Sequence, residues 1–280
     1  MPDVSELRHI NTDHIIGKMR PDEVQLRQQV IVGDTDQLDP DAAAVLKFRQ
    51  QLAERLGGRV FQREHGQLGV RHPLQPGEGI GKTLGRMGNV LVRFDPELFM
   101  DRYSLTGEDR KLIRNEVFRS VEWTMLDRGV IDEEIAEQHI LPRLPERLHD
   151  AARGLIETWD DPIVPVEGML ELLQALKAKG YRLYLLSNAA TRQPIYWARA
   201  EASKLMDGAL ISAEVKLLKP DPQIYRAFLH KFALHPEECV FIDDTPINVE
   251  GALYENMAGI VFNMDVAALA ESLHALGVEW

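Results

Sequence analysis

Cys239-Val240-Phe241-Ile242 followed by Asp243-Asp244 is the stretch on which the fold turns. The apolar run is too short for a helix and suits a buried strand, and two carboxylates follow it at once. The same pattern occurs upstream, where Tyr181-Arg182-Leu183-Tyr184-Leu185-Leu186 runs into Ser187-Asn188. Amphipathic segments lie around these runs. Residues 166–179 place Met169, Leu172, Leu173 and Leu176 on one face and stop at Gly180. Residues 222–232 and 249–255 read as further helices, and 259–262 as another strand. Strands alternating with helices require right-handed crossovers, so the expected fold is α/β with a doubly wound parallel sheet. Such a sheet binds ligands at the carboxyl ends of its strands, which is where these polar residues fall.

Upstream of this alternation the text changes. Residues 96–160 are rich in helical pattern: Thr106 can cap a helix with Asp109 three residues on, and Ile113, Val117 and Val121 follow at helical spacing. Pro142 and Pro145 mark a later break. The first 80 residues are harder to organise. Asp39-Pro40-Asp41 starts a helix that runs to Leu56 before Gly57-Gly58, and Val30-Ile31-Val32 suits a short strand. Residues 66–81 hold five glycines and two prolines, a composition for loop or linker.

The chain has 280 residues, 45% hydrophobic and 27% charged, which is the composition of a globular protein able to bury a substantial core. Its net charge of −12, almost all of it beyond residue 85, argues against a nucleic-acid partner, because phosphate-backbone affinity needs a basic surface. Cys239 stands alone, so no intrachain disulfide forms, and its apolar setting marks it as a small buried hydrophobe in a reducing compartment. No apolar stretch reaches the roughly 18 residues of a membrane span. The opening Met-Pro-Asp-Val-Ser-Glu-Leu-Arg has no basic-then-apolar leader. A cytoplasmic protein without membrane association is expected.

Four features at or near strand ends carry chemistry. Ser187-Asn188 offers a hydroxyl and successive backbone N–H groups for a phosphate. Asp243 and Asp244 repel each other unless a cation joins them, and Mg2+ is the natural partner for oxygen ligands. Lys219, in Lys-Pro-Asp-Pro, is an ammonium on a stiffened loop, and Asn248 can brace the loop after Asp244. Each is weak alone, since an Asp-Asp pair is most often a solvated turn. Gly79-Ile80-Gly81-Lys82-Thr83 fails the nucleotide-binding pattern because Pro76 stands where that pattern needs its first glycine. His9, His14, His65 and His72 lack ligand-pair spacing and read as surface residues.

Together, in this order, the features resemble the haloacid dehalogenase-like (HAD) superfamily of phosphatases over residues 87–280. The first motif is matched by Gly88-Asn89-Val90-Leu91-Val92-Arg93-Phe94-Asp95 and the second by Leu185-Leu186-Ser187-Asn188. Lys219-Pro220-Asp221-Pro222 matches the third, and Phe241-Ile242-Asp243-Asp244-Thr245-Pro246 the fourth. The resemblance implies a Rossmann-like core from 81–95 and 161–280, a helical cap at 96–160, and an unassigned extension at 1–80. It also implies a two-step phosphoryl transfer to an aspartate ending the first strand, assisted by Mg2+. By position, Ser187 and the Asn188 amide would bind phosphate and Lys219 would screen it. Asp244 would ligate metal, with Asp243 as second ligand or acting through water, and Gly88 would offer a carbonyl. Trp123 and Arg128 resemble cap positions that shape substrate choice. The implied substrate is a small phosphorylated metabolite.

One departure stands out. Arg86 occupies the position of the nucleophilic aspartate, and a guanidinium is no nucleophile at ordinary pH. Residues 79–85, with three glycines and a lysine, are poor material for a buried central strand, and Asp95 lies too far along to substitute. Two readings follow: a Mg2+-dependent phosphatase, or an inactive phosphate-binding or scaffold protein of the same fold. A dehalogenase is disfavoured, because Asp243-Asp244 implies a cation that dehalogenation does not need. The family-like text starts at Met87, which also raises the expectation that residues 1–86 have a separate origin.

Overall fold

The computed structural model describes residues 28–32, 61–64, 67–70 and 83–85 as strands, and residues 89–280 throughout. The strands are β1 (Gln28–Val32), β2 (Phe61–Glu64), β3 (Gln67–Val70), β4 (Thr83–Gly85), β5 (Tyr181–Ser187), β6 (Gly208–Ile211), β7 (Cys239–Asp243) and β8 (Ala258–Val261). Six of them form a sheet in the order β6-β5-β1-β4-β7-β8, and its pairings are parallel. The doubly wound expectation therefore holds. Sequence pattern located β5, β7 and β8 but not β6, whose Gly-Ala-Leu-Ile is too short and small to stand out.

The interval between β5 and β7 takes two segments. β1 sets its five residues against 181–185 and also meets Cys239 and Val240 of β7. β4 sets Gly85 against Leu185, and Thr83 and Leu84 against Val240 and Phe241. Val30-Ile31-Val32 is β-branched throughout, which fits a pleated strand, and it supplies the longer pairing. The glycine-rich 79–85 text contributes only three residues. The sheet thus draws on the chain from Gln28 onward as well as on the stretches after residue 81. The loop or linker expected over 66–81 needs correction, since Gln67–Val70 pairs antiparallel with Phe61–Glu64. The two strands stand only two residues apart in the sequence, a short-range hairpin spacing that the overall glycine count obscured. The helix expected over 39–56 lies outside the described residues.

The helices are α1 (Pro96–Met100), α2 (Gly107–Ile113), α3 (Val121–Asp127), α4 (Glu133–Ile140), α5 (His149–Thr158), α6 (Met169–Ala178), α7 (Gln193–Trp197), α8 (Ser212–Val215), α9 (Pro222–Lys231), α10 (Pro246–Tyr254) and α11 (Val266–Ala275). Alternation along β5 sorts them into layers. Leu183 and Leu185 point to a cluster containing Leu172, Leu173 and Leu176 of α6 and Leu269 and Leu273 of α11. Tyr184 and Leu186 point the other way, to Ile224, Tyr225 and Phe228 of α9 and Val249 and Ala252 of α10. Among the described residues, no helix is long and apolar enough to cross a membrane.

Helices α1 to α5 have a core of their own around Phe99, Ile113, Phe118, Trp123, Ile140 and Leu155. Thr106 and Asp109 form the expected capping box. Val121 does not continue the face of Ile113 and Val117. A five-residue π turn over Arg114–Phe118 and a new cap at Ser120 shift the phase, leaving Val121 63% exposed. The unit is tied across by Arg143, whose guanidinium donates to both oxygens of Glu122 at 2.9 and 2.8 Å and to Glu116 at 2.8 Å. The Arg143 hydrogen bonds outweigh the cost of burial and hold the Glu122 carboxyl below its ordinary range.

A depressed carboxylate contributes stability above its unfolded pKa and loses it as pH falls through its folded value. Glu122→Gln should therefore lower the urea midpoint at pH 7, by about 1–3 kcal/mol of stability. The gap from the parent should narrow when the titration is repeated below about pH 4. An equal gap at both pH values would show that the charge is not what matters at this position.

Candidate active site

β5 and β7 flank the interval taken by β1 and β4 and end at the same carboxyl edge of the sheet, where their last residues meet the loop that carries Lys219. That loop is stopped by Asp221, which caps α9 by accepting from the Gln223 amide. Lys219 Nζ donates to Asp243 Oδ2 at 2.9 Å and to the Leu186 carbonyl at 3.1 Å, and neither side chain of the ion pair has exposed surface. Its ammonium also lies 5.5 Å from the centre of the Phe241 ring. Asp243 Oδ1 accepts from the Thr245 amide at 2.8 Å and from Asn248 Nδ2 at 3.0 Å. Both oxygens of this buried carboxylate are thus engaged, at the start of a nine-residue helix whose dipole favours negative charge. The bracing expected of Asn248 is present, directed to Asp243.

Asn188 holds Lys219 in place. Its side-chain oxygen accepts from the Lys219 amide at 2.8 Å, and its Nδ2 donates to the Lys219 carbonyl at 3.2 Å. A side-chain amide can mimic a peptide in this way, and doing so fixes the loop against the end of β5. Sequence reading gave Asn188 only a backbone role. The Ser187 hydroxyl is buried and donates to the Asn188 carbonyl at 3.4 Å. The next helix begins at Gln193 and has five residues.

Asp244 is half-buried. It accepts from Thr245 Oγ1 at 3.2 Å and from Asn89 Nδ2 at 3.1 Å. Asn89 has a φ of 54°, the left-handed region that asparagine tolerates, and its Oδ1 accepts from the Phe94 amide at 3.0 Å. Asn89 thereby ties the first-motif segment to the fourth motif, a role that its place in a Gly-Asn turn could have signalled. Asp95 caps α1 by accepting from the Glu97 amide, so it serves as a helix cap. Beneath the site, the Tyr225 hydroxyl donates to the Asn248 carbonyl at 2.7 Å. Burial, then the Asp243 charge, push that hydroxyl well above the phenol range, so it stays a donor.

Ser212 was missed by sequence reading and links the site to the helical unit. Its Oγ accepts from the Ala189 amide at 2.8 Å and donates to the Asp127 carbonyl at the end of α3. Trp123 and Asn188 are brought to one solvent-open cleft, with Phe94, Trp159, Arg192 and Tyr196 also on its walls. Arg128 lies elsewhere, exposed at the end of α3. Arg86 and Gly88 lie outside the described residues, as do His9, His14, His65 and His72.

Comparison with known proteins follows the same lines. A family model described as haloacid dehalogenase-like hydrolase matches residues 101–254. Flavin mononucleotide hydrolase 1 of Arabidopsis thaliana is 30% identical over 156 residues, which are 56% of this chain and 62% of that protein. A phosphorylated carbohydrates phosphatase of Thermotoga maritima is 26% identical over 194 residues, 66% of this chain and 88% of that protein. The crystal structure of a dehalogenase overlays with a TM-score of 0.50 at 18% identity, covering 61% of this chain and 80% of its own, a likeness of fold. The match extends over more than half of the sequence and includes the second, third and fourth motifs, and the chain belongs to the haloacid dehalogenase-like hydrolase family.

Proposed function

We propose that the chain is a Mg2+-assisted phosphatase of a small phosphorylated metabolite, built on the buried Lys219–Asp243 pair with Asp244 beside it. That pair carries the reading. An ammonium with no exposed surface, 2.9 Å from a carboxylate at a strand end, sets a fixed positive charge where an incoming phosphate meets the Ser187-Asn188 turn. Phosphatase relatives acting on phosphorylated small molecules support the same class.

The residues present fit Mg2+ in its usual sparse form, one or two carboxylates with the remaining positions left to water and phosphate oxygens. Among the described residues no cluster of three His, Cys, Asp or Glu side chains forms a fuller cage. Asp243 spends its oxygens on Lys219, Asn248 and the Thr245 amide, so Asp244 would be the direct ligand and Asp243 would act through water. When bound, Mg2+ neutralises charge on the phosphate oxygens. The chain's own groups at the strand ends bind and orient the phosphate. Lys219 balances the phosphate, the Ser187 hydroxyl and Asn188 amide orient it, and Asn89 holds Asp244 in place. A second reading, phosphate binding without turnover, is favoured by Arg86 at the nucleophile position.

With Mg2+ and a generic aryl phosphate, the phosphatase reading expects turnover that Asp244→Asn abolishes. Mg2+ should also raise the thermal midpoint of the parent and leave that of Asp244→Asn unmoved. Phosphate-dependent stabilisation without turnover would carry the second reading instead, and Arg86→Asp should then confer hydrolysis. Lys219→Met should cost about 3–5 kcal/mol by stranding the buried Asp243 charge. Combining it with Asp243→Leu should recover part of that loss in urea titration, whereas purely additive losses would deny the coupling.

A further inference from the structure

We infer that the leaving group this site accepts is a planar, uncharged aromatic group, stacked in the cleft between the helical unit and the sheet. The inference rests on the phosphatase reading above and names its substrate class. The cleft wall is aromatic on several sides: Phe94 from the segment before α1, Trp123 from α3, Trp159 after α5, and Tyr196 from α7. The rings of Phe94 and Trp159 are 4.9 Å apart at 68°, those of Trp159 and Tyr196 4.9 Å at 67°, and those of Phe94 and Trp123 6.0 Å at 62°. None of these pairs is stacked face to face. Phe94 and Trp159 also remain only partly buried, although both touch the core of the helical unit. Trp123 and Tyr196 are buried behind them, so the cleft meets solvent through the partly exposed rings of Phe94 and Trp159, an aromatic surface left over after the helical core is packed.

Position and charge narrow the class. The cleft reaches Asn188 and the small residues Ala189 and Ala190, so whatever is attached to a phosphate at the Ser187-Asn188 turn meets these rings. Asp127 and Glu133 also line it, against the guanidinium of Arg192, the one cation among the described lining residues, whose Nη2 already lies 3.8 Å from the buried Asp160 carboxylate. A second anion on the leaving group would face that acidic rim. A neutral ring system would not.

The test compares 2-naphthylmethyl phosphate with glycerol phosphate, both alkyl esters, in the full chain with Mg2+. The parent should prefer the naphthyl ester in kcat/KM. Trp159→Leu should raise KM for that ester roughly threefold to tenfold, leave glycerol phosphate unchanged, and be rescued by Trp159→Phe. In parallel, 2-naphthylmethyl phosphonate, which cannot be hydrolysed, should quench tryptophan fluorescence in the parent and less so in Trp159→Leu. Equal kcat/KM for the two esters would overturn the inference while leaving the phosphatase reading standing. Saturable quenching sensitive to Trp159 without turnover of either ester would sink the phosphatase reading and keep the aromatic cleft. Neither quenching nor preference would overturn it outright.

Discussion

A lysine and an aspartate, each without exposed side-chain surface, meet 2.9 Å apart at the carboxyl edge of the sheet, and the rest of the site is arranged so that this contact is tolerable. Removing both charges from water costs several kcal/mol per ion, and their attraction offsets it only when the remaining donors and acceptors are also bonded. Here they are. Lys219 reaches the Leu186 carbonyl as well as Asp243, and Asp243 takes two further N–H donors from Thr245 and Asn248. These bonds join the ends of β5 and β7, the loop before α9 and the first turn of α10. Positioning the ammonium and holding these four segments in register are therefore one requirement.

This dependence explains how much of the molecule was legible in the sequence. β5 and β7 were readable because strands buried on both faces must be apolar and must then stop abruptly at polar residues. Asp243, Lys219 and Asn248 were readable because polar and charged groups at or near such ends need a reason. Contacts that run through geometry left no such trace. Asn188 clamping both backbone groups of Lys219, Ser212 joining Ala189 to Asp127, and the phase shift that exposes Val121 depend on which loops lie side by side. The place of Gln28–Val32 in the sheet, more than 140 residues from its partner β5, is legible only as β-branched composition, since pairing partners leave no local mark.

The helical unit and the sheet meet where substrate would be enclosed. Their hydrogen-bonded joints run from the end of α3 to α8 and its flank, through Ser212 to Asp127 and Lys216 to the Gly129 carbonyl. Gly129 has a φ of 67°, and a Cβ there would come within 2.8 Å of the Ala213 backbone, so this approach requires glycine. The aromatic wall lies beside this joint. Movement of the helical unit relative to the sheet would open or close the cleft at its rings while leaving the Lys219–Asp243 contact untouched, because no residue of that pair belongs to the helical unit.

Charge at the strand ends sharpens what Arg86 means. Lys219 against Asp243 and Asp244 leaves one net negative charge among the described groups, which favours a divalent cation but holds it weakly. An aspartate in the first-motif position would make that two and match Mg2+ in sign and magnitude. An arginine in the same position would bring the sum to zero, so a phosphate dianion would no longer be repelled and could pair with the guanidinium, while the metal would lose a ligand and much of its electrostatic pull. The same three motifs would thus suit hydrolysis or simple anion binding according to one side chain. The discriminating property is whether phosphate needs Mg2+ in order to bind: dependence speaks for an acid reaching the site, and independence for the guanidinium.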